Sequence, residues 1–397
     1  MSQVTRVVFW STSFQADVWS LAMYLAARPE FELKVAMHHA KRYLDEPLAK
    51  LAPPPFELLE RDDSSTLKAI RAFAPHVVIV DNHFPPKKLA PALFVLWHGF
   101  GWKGPNDRKE FASVYKAIKS LTGICPSKPN PHFIWQCFGP TDLEHRHRVS
   151  GFARTNLRSL GAAMCDDLAP ARFTREQLLP YYPASFAQKP IALLAFTWHY
   201  GSVFAHWGED RHLFQRLFEE LRQHGYAIVV RMHDRHRYEP SYLRDLQSMA
   251  QGHDDLWLKF KDEHRDNLID LSLAELTISN FSSILNYTYA TGKPSLHVYP
   301  VASGEEAFLW RTWKNGKLRI QRVDSARYIW KLPPEANGGL LARSPDELWQ
   351  QVHTAATQPD CCQQASQAFI AEHMAPTDGR ARERIANEII ALAEHHR

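Results

Sequence analysis

Short apolar runs alternate with amphipathic ones along the first half of the chain. RVVFW (6–10) leads to QADVWSLAMYLAAR (15–28), whose apolar residues recur at helical spacing, and then come FELKVAMH (31–38), HVVIVDN (76–82) and LFVLWHG (93–99). Runs that are apolar throughout suit strands buried on both faces, and a parallel sheet covered by helices buries them that way. This half predicts a Rossmann-like α/β unit. The stretch 160–190 is punctuated by prolines and carries no strand pattern until its end. A second alternation then runs IALLAFTW (191–198), a helix DRHLFQRLFEELRQHG (210–225), YAIVVRMH (226–233), LWLKF (256–260), LTIS (276–279) and SLHVYP (295–300). The expectation is therefore α/β, with two Rossmann-like domains whose parallel sheets face a cleft, over residues 1–170 and 185–345. Residues 346–397 are expected as helices packing on them, because SPDELWQQVHTAA (344–356) opens with a helix-start signal and DGRARERIANEIIALAEHH (378–396) is amphipathic.

One stretch changes character midway. LTISNFSSILNYTYATGKP (276–294) starts as a buried strand, breaks at Ser279 to Ser283 and resumes as a helix that stops at Gly292-Lys293-Pro294. Ser282 and Ser283 at a helix start serve as an N-cap, and hydroxyls beside unpaired backbone N–H groups also suit an anion such as phosphate. Both readings can hold together.

Composition narrows the class. The 397 residues are 45% hydrophobic and 23% charged, as in a globular protein of two domains. With no membrane-length apolar run and no signal-type start, the expected location is cytoplasmic. The five cysteines lack CxxC spacing or zinc-finger histidines, so neither a disulfide framework nor a structural zinc is expected. A net charge of +4 spread among acids does not imply nucleic acid, while an anionic small molecule or a membrane surface fits.

In an open parallel sheet, ligands bind beyond the carboxyl ends of the strands. In LWHGFGWKGPND (96–107) an apolar strand runs into His98, with Lys103 in the glycine-rich turn. A histidine there suits a general base, or it hydrogen-bonds a neighbouring loop. In VVRMHDRHRY (229–238) strand alternation puts Arg231 and His233 on one face, where they can share a phosphate. A metal site of His233, Asp234 and His236 has no ligand spacing behind it. In FTWHYGSVFAHWGEDRH (196–212), Thr197, His199 and His206 are candidates to line the cleft, while Trp198 and Trp207 are expected in the core. The helix-like RKEFASVYKAIKSL (108–121) is expected to pack on the first domain, the alternative being a basic face lying on a membrane.

Taken in order, Trp97-His98-Gly99 with Lys103, Arg231-Met232-His233, Glu275 through Ser283, and Lys293-Pro294 resemble the CDP-glycerol glycerophosphotransferase family of teichoic acid and capsule polymerases. LGAAMCDDL (160–168), with Asp166 or Asp167 as its acid, is a weaker match to a linker segment of that family. The resemblance covers roughly residues 90–300 and implies a GT-B fold, with an acceptor-side first domain and a nucleotide-donor second domain. It implies transfer of glycerol phosphate from a CDP-activated donor to a hydroxyl of a polymer or lipid-linked acceptor, with peripheral contact at the inner face of the cell membrane. His98 would be the base, with His233 the other catalytic candidate. Arg231, His233, Asn280, Ser282 and Ser283 would hold the donor phosphates, and Lys103, His199 and Glu275 would line the cleft. No cofactor is implied, and no Asp-x-Asp motif points to a metal.

The chain departs from that pattern at Asn280-Phe281, where the family carries Asp-Tyr, and in the Phe-Gly-Trp turn after Gly99, where it usually has Thr-Pro-Leu. A neutral Asn280 can neither act as a base nor pair with a cation, which points to a changed donor. Phosphate holding survives these changes better than the identity of the transferred group. The competing readings are a GT-B glycosyltransferase using a nucleotide sugar and a non-catalytic nucleotide-binding homologue. A GT-B-like epimerase would need a cluster of carboxylates that the sequence does not display.

Overall fold

The computed structural model describes residues 4–97, 100, 102, 106–196, 203–204, 207–280, 282–300, 308–323 and 332–396; within 308–323 it describes the side chains of 315–317 and 319 only. The chain forms two compact units, one from Met1–Phe100, Pro105–Ala171 and Ala371–Arg397, the other from Gly101–Gly104 and Arg172–Ile370.

The first unit holds seven strands: β1 (Thr5–Trp10), β2 (Phe31–Met37), β3 (Glu57–Glu60), β4 (Val77–Val80), β5 (Ala92–Val95), β6 (Phe133–Cys137) and β7 (Leu157–Ser159). They lie in the order β3-β2-β1-β4-β5-β6-β7, all parallel. Every residue of β4, β5 and β6 is buried, as strands covered on both faces must be. The helix Ala112–Thr122 turns Tyr115, Ile118 and Leu121 into the core beside Trp135 and Phe152, so its apolar face packs against protein as expected. The helix Ala381–Glu394 belongs to this unit. Its start is held by Asp166, whose carboxylate accepts the N–H groups of Ala381 and Arg382 at 3.2 and 2.8 Å, while Asp167 pairs with the Arg382 guanidinium at 2.6 Å. The linker acids thus cap a helix from a distant segment.

The second unit contains β8 (Ile191–Leu194), β9 (Ala227–Met232), β10 (Leu256–Phe260), β11 (Ala274–Ser279) and β12 (Ser295–Val298), then an antiparallel pair, β13 (Phe308–Lys314) and β14 (Lys317–Val323), and finally β15 (Leu340–Ala342). The main sheet runs β10-β9-β8-β11-β12-β15, again parallel. The helix Asp210–Gln223 buries Phe214, Leu217, Phe218 and Leu221, one stripe at helical spacing. By area alone that stripe contributes roughly 6–12 kcal/mol before chain entropy is set against it. Two Rossmann-like units of parallel sheet make this a GT-B fold. Among the described residues, no helix is long and apolar enough to cross a membrane.

Candidate functional site

The order of the second sheet reverses between β8 and β11, and such a switch point leaves a crevice at the carboxyl ends of the strands. There the Ser279 hydroxyl donates to the Ala195 carbonyl at 2.6 Å and the Ala195 N–H donates to the Ile278 carbonyl at 2.9 Å, locking the two strand ends together. Asn280 follows, fully buried. The helix Ile284–Thr291 starts directly afterwards and ends at Gly292, whose φ of +67° is the left-handed stop that glycine accepts. The two serines divide their roles. The Ser282 hydroxyl accepts the Ile284 N–H at 3.3 Å, whereas Ser283 occupies the N-cap position without a side-chain cap bond. Both remain half-buried rather than enclosed.

Arg231 lies near the carboxyl end of β9, next to β8, and faces Lys259 of β10 in register. Both cations converge on Asp270, Arg231 Nη1 at 3.1 Å and Lys259 Nζ at 2.5 Å, and the Tyr182 hydroxyl bonds the same carboxylate. Lys259 also lies over the rings of Tyr182 and Trp257 at 4.8 and 4.9 Å. All four members of the cluster are buried. Burial alone would raise the Asp270 carboxyl, but Lys259 and Arg231 hold it below the usual carboxylate range. Burial lowers Lys259 despite Asp270, and burial then Asp270 push Tyr182 well up. The cluster fixes the Arg231 guanidinium at a strand end.

His233 comes two residues later, just past the end of β9, with its backbone N–H donating to the Tyr238 hydroxyl at 2.9 Å. Burial, reinforced by Lys261 and Arg237, lowers its imidazole to about 4. At neutral pH the ring is therefore uncharged.

Glu275 is not brought to this end. It sits at the start of β11, half-exposed, in an ion pair with Lys293 at 3.3 Å. Strand direction explains the difference, because five residues of extended chain separate it from Asn280, roughly 16 Å at the usual rise. His98, Lys103 and His199 lie outside the described residues, as do Thr197, Trp198, His206 and Phe281. Trp207 packs on the core of the second unit, stacked on Phe204.

The residue that carries His98 is held in a strained backbone. Trp97 adopts φ +58°, a left-handed conformation that a bulky residue avoids. It packs on Trp135 and Phe111, and the fully buried Arg146 lies over all three rings at 5.0 to 5.6 Å. Arg146 is itself held by Asp142 at 3.6 Å and by the Asn106 side chain at 3.2 Å.

Sequence reasoning missed Lys259, Asp270 and Tyr182. A lysine inside the apolar run LWLKF was the available signal, since a buried strand seldom carries an unpaired cation. For metals, the one group of suitable ligands among the described residues is His38, Glu60 and Asp62, with ligand atoms within 4.8 Å of one another. They are already engaged, His38 with Asp62 and Glu60 with the N–H groups of His39 and Ala40. The set His233, Asp234 and His236 forms no such group, and Asp234 pairs with Arg237 at 3.2 Å.

No protein-family model and no curated protein sequence matches the chain. Solved structures do. The wall teichoic acid polymerase TagF is 13% identical, with a TM-score of 0.66 over 99% of this chain and 90% of that one. A UDP-N-acetylglucosamine 2-epimerase is 13% identical, with a TM-score of 0.56 over 100% and 98% of the two chains. A glycosyltransferase from Rickettsia africae is 12% identical, with a TM-score of 0.53 over 98% and 99%. At these identities the likeness establishes the two-unit α/β fold, shared along nearly the whole chain.

Proposed function

We propose that the protein is a transferase that moves glycerol phosphate, or a related polyol phosphate, from a CDP-activated donor to an acceptor hydroxyl in cell-envelope or capsular polymer synthesis. The observation that carries this reading is the strand-end arrangement of the second unit. Arg231, anchored by Asp270, stands at the end of β9, and Asn280, Ser282 and Ser283 follow β11 into a helix start. These are the positions of the sequence resemblance, and TagF shares the fold; one of its variants has been studied after a soak with CDPG.

Phosphoryl transfer of this kind needs positioning and charge neutralisation more than covalent chemistry. Arg231 neutralises donor phosphate, and a neutral His233 and the Ser282–Ser283 helix start contribute hydrogen bonds. His98, carried on the strained Trp97, removes the acceptor proton. His199 and Lys103 complete the proposed site, with the acceptor on a polymer or lipid at the membrane surface.

Asn280 and Phe281, which replace an acid and a phenol, favour a second reading in which the donor is a nucleotide sugar. A donor screen separates the two. Release of CMP from CDP-glycerol in the presence of an acceptor supports the first, and release of UDP or GDP from nucleotide sugars with no CMP overturns it.

A further inference from the structure

β10 ends the second sheet, with β9 on one side and, among the described residues, no strand on the other. The Asp255 carbonyl accepts the Ile228 N–H at 2.7 Å and the Lys261 N–H donates to the Met232 carbonyl at 3.0 Å. In a parallel pair this sets Asp255, Trp257, Lys259 and Lys261 as the residues bonded to β9, and Leu256, Leu258 and Phe260 turn their backbone groups outward. The Leu256 N–H is used by the His253 carbonyl, and the Phe260 carbonyl by the N–H groups of Glu263 and His264. The Leu256 carbonyl, both groups of Leu258 and the Phe260 N–H are left for a further strand. Exposed edges are commonly guarded by a lysine or a proline. Here Lys259 is buried against Asp270 and leaves the edge open.

Beside this edge runs a groove of about 570 Å³, between Leu258 and Phe260 and the helix Pro240–Ala250. Its helical wall is Arg244, Gln247, Ser248 and, at the helix end, Gln251, one stripe of hydrogen-bonding side chains that includes no acid. A second hollow of about 500 Å³ shares Arg235, Arg244 and Gln247 and extends the groove to the turn at Asn315-Gly316. Arg235 lies over the Phe260 ring at 4.1 Å, but Glu263 pairs with it and Asp262 is close by. Arg244 carries the free charge. No carboxylate pairs with it among the described residues, and Asp245 follows it in the helix, where adjacent side chains diverge.

A groove between an edge strand and a helix suits an extended peptide, whose backbone pairs with the edge while alternate side chains enter the groove. An unopposed guanidinium there favours a carboxylate at one of those positions. A small anion would meet Arg244 and leave the edge unused. We propose that β10 and the helix Pro240–Ala250 form a docking groove for an extended acidic segment of a partner protein, which adds a strand to the sheet and sets a carboxylate on Arg244. The proposal does not depend on the transfer reading.

Its test is titration of the full chain against a short fluorescein-labelled peptide of alternating valine and glutamate, followed by anisotropy. Saturable binding is expected, weakened about tenfold in Arg244→Gln, the size of one charge-assisted hydrogen bond, and at least as much when lysine replaces glutamate in the peptide. N-methylation of the peptide backbone keeps its charge and should abolish binding. Leu258→Pro removes an outward N–H without touching a bond to β9, so it should weaken binding while the circular dichroism spectrum is unchanged. Absence of saturable binding overturns the proposal. Equal binding of the N-methylated peptide also overturns it, by reducing the groove to a charged patch. A dimer in light scattering that the peptide does not dissociate would assign the edge to a second copy and overturn it as well.

Discussion

Replacing Asp270 by Asn keeps the shape of the side chain and removes the charge on which the cluster depends. Lys259 Nζ and Arg231 Nη1 stand 2.5 and 3.1 Å from its oxygens. At those separations and an effective dielectric near 20, each attraction is about 5–7 kcal/mol, much of it offset by the cost of taking three charges out of water. Removing the carboxylate does not remove that cost, because two buried cations remain. Asp270→Asn should therefore lose about 3–5 kcal/mol of unfolding free energy, measured by urea denaturation of the full chain. Adding Lys259→Met to the Asp270→Asn variant should recover part of the loss, although the same lysine change made alone destabilises. A loss below about 1 kcal/mol, or a lysine change that destabilises equally with and without Asp270→Asn, would refute the reasoning.

Two further outcomes follow from buried groups. His233 titrates at about 4 in the folded protein against 6.5 for an ordinary histidine. Between those values the unfolded chain holds a proton that the native chain does not, so stability falls as pH falls through the window, by about 3 kcal/mol at its lower end. Unfolding free energies of the native protein and His233→Gln, compared from pH 7 to 4, should converge in acid, and parallel curves would contradict the assignment. Arg146→Met leaves the buried Asp142 without its cation and should cost about 3–5 kcal/mol. It should also loosen Trp97, so turnover drops while donor affinity holds; unchanged thermal unfolding would exclude that role.

The alternation of apolar runs locates β1, β2, β4, β5 and all five strands from β8 to β12, because each is buried enough to read as continuous hydrophobicity. FIWQC, which forms β6, meets the same criterion, yet the sequence reading does not include it. β3 reads ELLE, with acids at both ends, and β7 is three residues long, so neither carries a pattern of its own. The hairpin of β13 and β14 turns at Asn315-Gly316, both at positive φ, which is a turn signal legible without a structure.

The strand-end positions of Arg231, Asn280, Ser282 and Ser283 are legible because the apolar run before each marks where its strand ends. The Asp270 cluster is not. Tyr182 and Asp270 are 88 residues apart in sequence and meet only when the chain folds. Glu275 precedes the apolar run LTIS, so chain direction alone sets it at the amino end of β11, away from the strand end that Asn280 follows. The roles of Asp166 and Asp167 depend on a helix more than 200 residues later in the chain, which local reading cannot supply.

The central claim is that the chain transfers a polyol phosphate from a CDP-activated donor with His98 as base. The most direct measurement is CMP release on mixing the protein with CDP-glycerol and glycerol phosphate-bearing or saccharide acceptors, beside a His98→Ala variant. The account predicts acceptor-dependent release by the native protein that the variant loses while still binding CDP. Binding of CDP with no release by the native protein, or undiminished release by the variant, would contradict it.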